Sequence, residues 1–203
     1  MKTDVDPRSE LFTVADDQQG YFTAQQAEKA GYRKSNHSYH VKAGNWIREG
    51  RGIYRLAAFP RTDDSQLIVL SLWSRNRQGR PMGVYSHETA LSIHNLSDAM
   101  PAKLHMTIPK GFRRVSPIPK ALILHYGEIG PSDIEERKGY RVTKPLRTIL
   151  DLLAEEGAAS EIIRQAFLQG VTRGLIRISE AKSERLPEDA RRTFFNWLEH
   201  RNE

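Results

Sequence analysis

A change of hydrophobic period at Gly44 constrains the fold of this chain more than any other feature. Before Gly44, apolar residues recur with helical spacing in three short segments, and glycines 20, 31 and 44 end them. After Gly44, two short apolar runs, 46–48 and 53–56, flank a turn that carries two glycines. Three helices followed by a strand–turn–strand hairpin within about 50 residues is the element order of a winged helix-turn-helix.

The three predicted helices run from about Ser9 to Gln18, from Ala24 to Ala30, and from Lys34 or Ser35 to Ala43. Ser9 and Thr23 are predicted N-caps, because their hydroxyl oxygens can accept a hydrogen bond from a first-turn N–H group. The third helix has the position of a recognition helix, whose N-terminal half meets base edges in the major groove.

The third helix and the hairpin are rich in side chains that bind DNA. Asn36 can pair bidentately with adenine, and Arg33 and Lys34 can reach guanine or phosphate. Arg51 is predicted at the tip of the hairpin, where a wing meets the DNA backbone or the minor groove. The predicted DNA-binding residues are Arg33, Lys34, Ser35, Asn36, His37, Tyr39, His40, Lys42, Arg48, Arg51 and Arg55; the predicted core residues are Val41, Ala43, Trp46, Ile53, Tyr54 and Leu56.

The positive charge of the chain is concentrated in two segments. The formal net charge is +6, and residues 31–56 contain six Lys or Arg against a single acid, Glu49. Residues 99–127 contain five Lys or Arg and no acid, and Lys110, Arg113 and Arg114 form a second basic patch around Phe112. Clustered cations favour a polyanionic partner, because they release the counterions of its phosphates. The second patch could extend the DNA contact or bind RNA or an acidic surface; a solvated loop with Phe112 turned inward is the equal alternative.

The segment from Ala57 to Asp64 includes Pro60 and predicts a linker, so the predicted domains are residues 1–58 and 64–203. The second domain should contain a helix from Asp63 or Ser65 to Trp73. Its predicted strands are 83–86, 104–108, 121–126 and 140–143, and its other predicted helices are 87–94, 145–154, 160–173, a short one after 179, and 188–200. The predicted fold class is α/β in the α+β sense: an N-terminal winged helix-turn-helix followed by a larger mixed domain that ends in helices.

Composition excludes several classes of protein. The chain has no cysteine, which removes disulfides, thiolate metal sites and cysteine nucleophiles. No run approaches the roughly 18 apolar residues of a membrane span, and the first residues lack the apolar stretch of a signal peptide. The sequence predicts a soluble cytoplasmic protein without a membrane partner, and it predicts no cofactor, no metal ligand and no catalytic residue.

Two motifs could carry catalysis, and neither is favoured. In 86–89 (SHET) a relay between His87 and Glu88 is geometrically poor, because adjacent helical residues point in different directions. We therefore expect this segment to cap a helix. Asp133 with Glu136 is similar to the metal site of many nucleases, but the spacing is too short for acids on separate strands.

Three segments resemble one family of bacterial regulators. They are GYFTAQQA (20–27) with AGY (30–32) and EGRGIYRL (49–56); SHETAL (86–91) with LHMTIP (104–109); and VTKPLRTILDLL (142–153). In this order they are similar to the AbiEi-type antitoxins of type IV toxin–antitoxin systems, over about residues 20–167.

The resemblance implies a non-enzymatic repressor. Such a protein represses its own two-gene operon through inverted repeats at the promoter, and its C-terminal domain counters a nucleotidyltransferase-like toxin encoded beside it. Because one winged helix covers only a half-site, a homodimer or two cooperating monomers would bind the operator. A metal-dependent nuclease, and a one-component regulator whose second domain senses a small ligand, stay open as alternatives.

Overall fold

The structure is a computed structural model that describes residues 6–97, 101–114, 116–155 and 160–201. The helices are α1 (Pro7–Asp16), α2 (Ala24–Lys29), α3 (His37–Lys42), α4 (Ser65–Trp73), α5 (His87–Ile93), α6 (Pro145–Leu153), α7 (Ser160–Thr172), α8 (Ile178–Ala181) and α9 (Glu188–Glu199). The strands are β1 (Tyr21–Thr23), β2 (Trp46–Gly50), β3 (Ile53–Leu56), β4 (Val84–Tyr85), β5 (Leu104–Ile108), β6 (Leu122–Tyr126), β7 (Ile134–Arg137) and β8 (Tyr140–Thr143). Among the described helices, none has the length and apolar character needed to cross a bilayer.

The chain divides into two compact units. The N-terminal unit comprises Met1–Gly83, Gly111–Pro117 and Glu136–Arg141, and the C-terminal unit comprises Val84–Lys110, Ile118–Glu135 and Val142–Glu203. Within the N-terminal unit, α4 contacts β1 and β3. The helix α4 therefore belongs to the same compact unit as the hairpin that precedes it. The predicted domain boundary at residues 58–64 concerns which part folds independently, and it stays a prediction.

The N-terminal unit contains the three helices and the hairpin in the predicted order. A short strand that the sequence analysis did not predict, β1, pairs antiparallel with β3 and gives a sheet in the order β1-β3-β2. Thr23 is the N-cap of α2, as predicted, and it forms a reciprocal capping box with Gln26. The helix α1 begins earlier than predicted, and its N-cap is Asp6 and not Ser9. The core consists of Leu11, Ala15, Phe22, Ala27, Ala30 and Trp46.

The predicted third helix has two parts. Lys34–Asn36 form one 3-10 turn, and α3 follows as a short α-helix. Val41 packs against the core, as predicted, but Ala43 is exposed, because it lies at the C-terminal cap after the last turn. Trp46 and Ile53 are buried, and Tyr54 and Leu56 pack on the same core, which confirms the predicted apolar face of the wing.

The elements from β4 onward form a mixed α+β arrangement, which confirms the predicted fold class. The second sheet has the order β6-β5-β4-β8-β7, in which β5 pairs parallel to β6 and antiparallel to β4. Strand β7 was not predicted, because its sequence IEER lacks a run of apolar or β-branched residues. The helical core contains Leu91, Leu96, Ile149, Leu152, Ile163, Ala166, Phe167, Ile176, Ala181, Phe194 and Trp197.

The segment 86–89 does not cap a helix as we expected. Ser86 occupies the N-cap position of α5 without a side-chain cap bond, and its hydroxyl lies 2.7 Å from that of Thr107. The Thr89 hydroxyl accepts a 2.7 Å hydrogen bond from the backbone N–H of His105. These polar side chains therefore join α5 to β5, since a buried hydroxyl must find a partner wherever one lies.

Candidate nucleic-acid interface

Two histidines attach α3 to the hairpin. The His40 ring stacks on the Trp46 indole at 4.6 Å with an interplanar angle of 21°, and the His37 ring lies 5.3 Å from the same indole. His37 also contacts Tyr54 at 5.9 Å. Because residues three apart lie on one side of a helix, this pair fixes which side of α3 packs on the hairpin.

His37 is therefore wrongly placed in the predicted DNA-binding set, since it is only 4% exposed and packs on Trp46. His40 is half-buried, and burial, followed by the charges of His37 and Arg8, lowers its pKa, so we expect a neutral ring at pH 7. The sequence analysis listed the polar residues of this segment without asking which side of the helix each occupies.

The outward face of the segment presents residues with the i, i+3, i+4, i+7 spacing of one helix face. Tyr39 is 67% exposed, and Ser35, Ser38 and Lys42 are exposed with it. Ser38 was missed by the sequence analysis, although its spacing from Ser35 would have found it. Arg33, Lys34 and Asn36 are exposed at the N-terminal end, which is the end that meets base edges in a helix-turn-helix.

The pairing of β2 with β3 places Arg48 beside α3. Arg48 lies opposite Tyr54, and Trp46 lies opposite Leu56. Directly opposed residues share a face of the sheet, so Arg48 is on the face that carries Trp46 and Tyr54. Both of these rings contact α3. The exposed Arg48 side chain therefore extends from the same side of the hairpin as α3.

The tip of the hairpin is built for close approach. A register shift between Arg48 and Gly50 interrupts the ladder, and Gly52 has a φ of +66°, a conformation that L side chains rarely adopt. Arg51 is exposed at this turn. An exposed guanidinium at such a turn can reach a phosphate or enter a groove.

Arg55 does not belong to the interface, in contrast to its prediction as a DNA contact. It is 6% exposed, its Nε donates to Glu49 Oε1 at 2.9 Å, and a further N–H donates to the Phe59 carbonyl. Arg61 Nη2 donates to the other Glu49 oxygen at 2.6 Å. The guanidinium of Arg55 lies on the face of the sheet opposite to the face that carries Trp46. There it is paired with Glu49 and is too buried to contact a polyanion.

Burial alone would raise the pKa of the Glu49 carboxyl, but hydrogen bonds and charges from Arg61 and Arg55 hold it below the ordinary value of 4.5. A depressed folded-state pKa adds stability that is present above pH 4.5 and is lost as the pH falls through the folded value. We expect Glu49→Gln to cost about 2 kcal/mol at pH 7 and to flatten the acid limb of stability. Urea unfolding from pH 7 to pH 3 measures this. Glu28→Gln, an exposed carboxylate on α2, is the control, and an identical acid limb in both variants would contradict the assignment.

Part of the second basic patch lies in the same unit as the wing. The Arg114 guanidinium lies over the Trp73 ring at 5.5 Å and donates to the Arg75 carbonyl at 2.8 Å. Burial and the nearby charge of Arg51 lower the pKa of Arg114, and burial with the charge of Arg114 lowers that of Arg75 to about 10. Phe112 is half-buried near Trp73, while Lys110 and Arg113 are exposed. The loop is thus tied down through Phe112 and Arg114, and Arg114 adds a cation near the wing tip.

The two acids considered for a nuclease lie in different surroundings. Asp133 Oδ2 lies 3.3 Å from Arg147 Nη1, and Arg147 also binds Asp151. Glu136 is exposed on β7. Among the described residues, the group close enough to share a metal ion includes neither Asp133 nor Glu136. The geometry therefore gives no support to a metal site at these two acids.

Fold and surface together are those of a winged helix-turn-helix with an exposed cationic face. Residues 9–57 match the family described as "Transcriptional regulator, AbiEi antitoxin". This N-terminal segment is thus similar to the AbiEi regulators, which agrees with the resemblance seen in the sequence for that part of the chain. No curated protein matches the chain. Over 82% of this chain and 75% of the other, it is similar to the crystal structure of RV2827C protein from Mycobacterium tuberculosis, at 11% identity and a TM-score of 0.42.

Proposed function

We propose that this protein is a DNA-binding repressor that acts as the antitoxin of a type IV toxin–antitoxin system. It binds inverted repeats upstream of its own operon, as a homodimer or as two cooperating monomers, and it counters a nucleotidyltransferase-like toxin. One observation carries the DNA-binding part: α3 is fixed to the hairpin by His37, His40 and Trp46, so its polar face and Arg48 point to the same side.

The charge of that surface supports a polyanionic ligand. Arg33, Lys34, Lys42, Arg48 and Arg51 are exposed, and none of them forms an ion pair with a described acid. Five free cations on one small module are costly unless counterions or phosphates neutralise them. Binding to duplex DNA releases those counterions, which gives both affinity and a steep dependence on salt.

A shift assay tests the proposal. At physiological salt, the protein should bind the DNA upstream of its own gene at least about 1,000-fold more tightly than random duplex of the same length. Equal affinity for the two would contradict a repressor role. A footprint that covers two half-sites about one helical turn apart would support the paired arrangement.

Alanine substitution of Asn36 and of Arg51 should affect DNA binding in different ways. Asn36→Ala removes an amide that can read adenine, so it should cost about 1–3 kcal/mol on the operator and little on random DNA. Arg51→Ala removes a phosphate contact, so it should weaken both complexes alike and reduce the salt slope by about 1. Titrations of both variants on both duplexes, at several salt concentrations, measure this. If both variants lost the same affinity on both duplexes, Asn36 would not be a base contact distinct from the phosphate contact of Arg51.

Toxin neutralisation should be separable from DNA binding. We assign it to the C-terminal unit, as the AbiEi resemblance implies. A variant that carries Lys42→Ala, Arg48→Ala and Arg51→Ala should lose repression but still restore growth to cells that express the adjacent nucleotidyltransferase-like protein. Loss of rescue in that variant, at equal protein level, would place neutralisation on the DNA-binding surface instead.

A further inference from the structure

Three histidines from separate elements meet in the C-terminal unit. His87 begins α5, His105 lies on β5, and His125 lies on β6. In the parallel pairing of β5 with β6, His105 lies opposite Ile123 and His125 lies opposite Thr107. The two histidines are therefore diagonal neighbours on one face of the sheet. The sequence gives no hint of this cluster, because its members are about 20 residues apart and form no ligand motif.

The ring nitrogens converge. His105 Nδ1 lies 3.0 Å from His125 Nε2, and the His87 and His125 rings stack at 3.7 Å with an interplanar angle of 12°. Each ring offers one nitrogen, and all three nitrogens lie within 4.8 Å of one another. Nitrogen ligands about 2.0–2.1 Å from a tetrahedral Zn²⁺ are about 3.3 Å apart. The three nitrogens are thus close enough to share one ion once the stacked His87 and His125 rings tilt so that their in-plane lone pairs converge.

His87 and His105 each have a polar side chain near the ring nitrogen that faces away from the cluster. His87 Nδ1 lies 2.9 Å from the Ser86 hydroxyl, which leaves Nε2 for an ion. Glu88 Oε2 lies 3.7 Å from His105 Nε2, an ion-pair distance longer than a hydrogen bond, and the Nδ1 of that ring faces His125. A hydroxyl or carboxylate behind the ring fixes its tautomer and raises its basicity as a ligand.

The backbone at His87 is an independent sign of a built site. His87 has a φ of +53°, in the left-handed region, at a cost of about 1–3 kcal/mol for a non-glycine residue. The imidazole of this residue stacks on that of His125.

We propose that His87, His105 and His125 bind one divalent late transition-metal ion, and that this ion is Zn²⁺. Imidazole nitrogens suit Zn²⁺, Cu²⁺ and Ni²⁺, and the chain has no thiolate to offer a competing soft site. Three protein ligands leave a fourth position for water. The alternative is a hydrogen-bonded histidine stack that holds no ion, in which His105 and His125 satisfy each other.

A metal titration of the tag-free protein distinguishes a metal site from a histidine stack that holds no ion. After dialysis against a chelator, the protein should bind one equivalent of Zn²⁺, and its melting temperature should rise with added Zn²⁺. Co²⁺ in place of Zn²⁺ should give the intense visible absorption of a four-coordinate ion. Failure of the wild-type protein to bind either ion would overturn the proposal.

Variants locate the site. His87→Asn removes a ligand and suits the left-handed backbone, because Asn tolerates that conformation. His125→Ala removes a half-buried ring. Each should weaken Zn²⁺ binding more than tenfold and abolish the Co²⁺ absorption. His200→Ala, which removes an exposed histidine in the same unit, should bind like wild type. Binding that is unchanged in both cluster variants would equally overturn the proposal.

Discussion

Trp46→Ala should destabilise the N-terminal unit by about 3–5 kcal/mol and abolish specific DNA binding. The indole is 3% exposed and is the centre of an aromatic cluster. Its ring neighbours, at 4.6 to 5.6 Å, are Phe22, Tyr32, His37, His40 and Tyr54. Truncation leaves a cavity and releases α3 from the hairpin, so both stability and the arrangement of the DNA-binding surface should be lost.

Tyr39→Ala is the matched aromatic control. Tyr39 is exposed on the outer face of α3, so its removal should change the free energy of unfolding by less than about 0.5 kcal/mol. Urea unfolding followed by circular dichroism measures both variants. A loss of less than about 1 kcal/mol for Trp46→Ala would show that Trp46 does not hold α3 in place.

Removal of Lys42, Arg48 and Arg51 together should lower operator affinity several hundred-fold without unfolding the protein. Each phosphate contact contributes about 0.9 to the slope of log affinity against log salt, so three contacts remove about 2.7 from that slope. At 0.1 M salt this corresponds to about 2.7 decades of affinity relative to 1 M. All three side chains are exposed, so the fold should persist.

The control must lose the same net charge elsewhere. Alanine substitution of Lys182, Arg185 and Arg192, all exposed in the C-terminal unit, serves this purpose. We expect it to leave the salt slope unchanged. If both triple variants lose affinity and slope equally, long-range charge rather than the α3–wing surface drives binding.

Local signals made most of the fold predictable. The Thr23 capping box and the glycine-bearing turn before Ile53 are encoded within a few residues, and both are present. The helices α4 to α9 follow apolar periodicity closely enough to be placed within about one or two residues. Arg55 is buried because it pairs with the Glu49 carboxylate across the bulged hairpin, and the local sequence pattern does not reveal this contact.

The site was harder to predict than the fold. Sequence composition identified the basic segment, but only the packing of α3 on Trp46 separates the buried His37 from the exposed Ser38. Likewise, the histidine cluster arises from the pairing of β5 with β6 and from the turn at His87. Such contacts depend on tertiary structure, and spacing along the chain does not encode them.

A photo-crosslinking amino acid at position 39 tests the central claim most directly. Tyr39 projects from the exposed face of α3, whereas Phe12 is similarly exposed on α1 but packs against Phe59, on the side of the hairpin that Arg55 faces. With operator DNA, the probe at position 39 should crosslink to a base in the major groove, and the probe at position 12 should not crosslink. Efficient crosslinking from position 12 with none from position 39 would contradict the assignment of α3 and the wing as the DNA-binding surface.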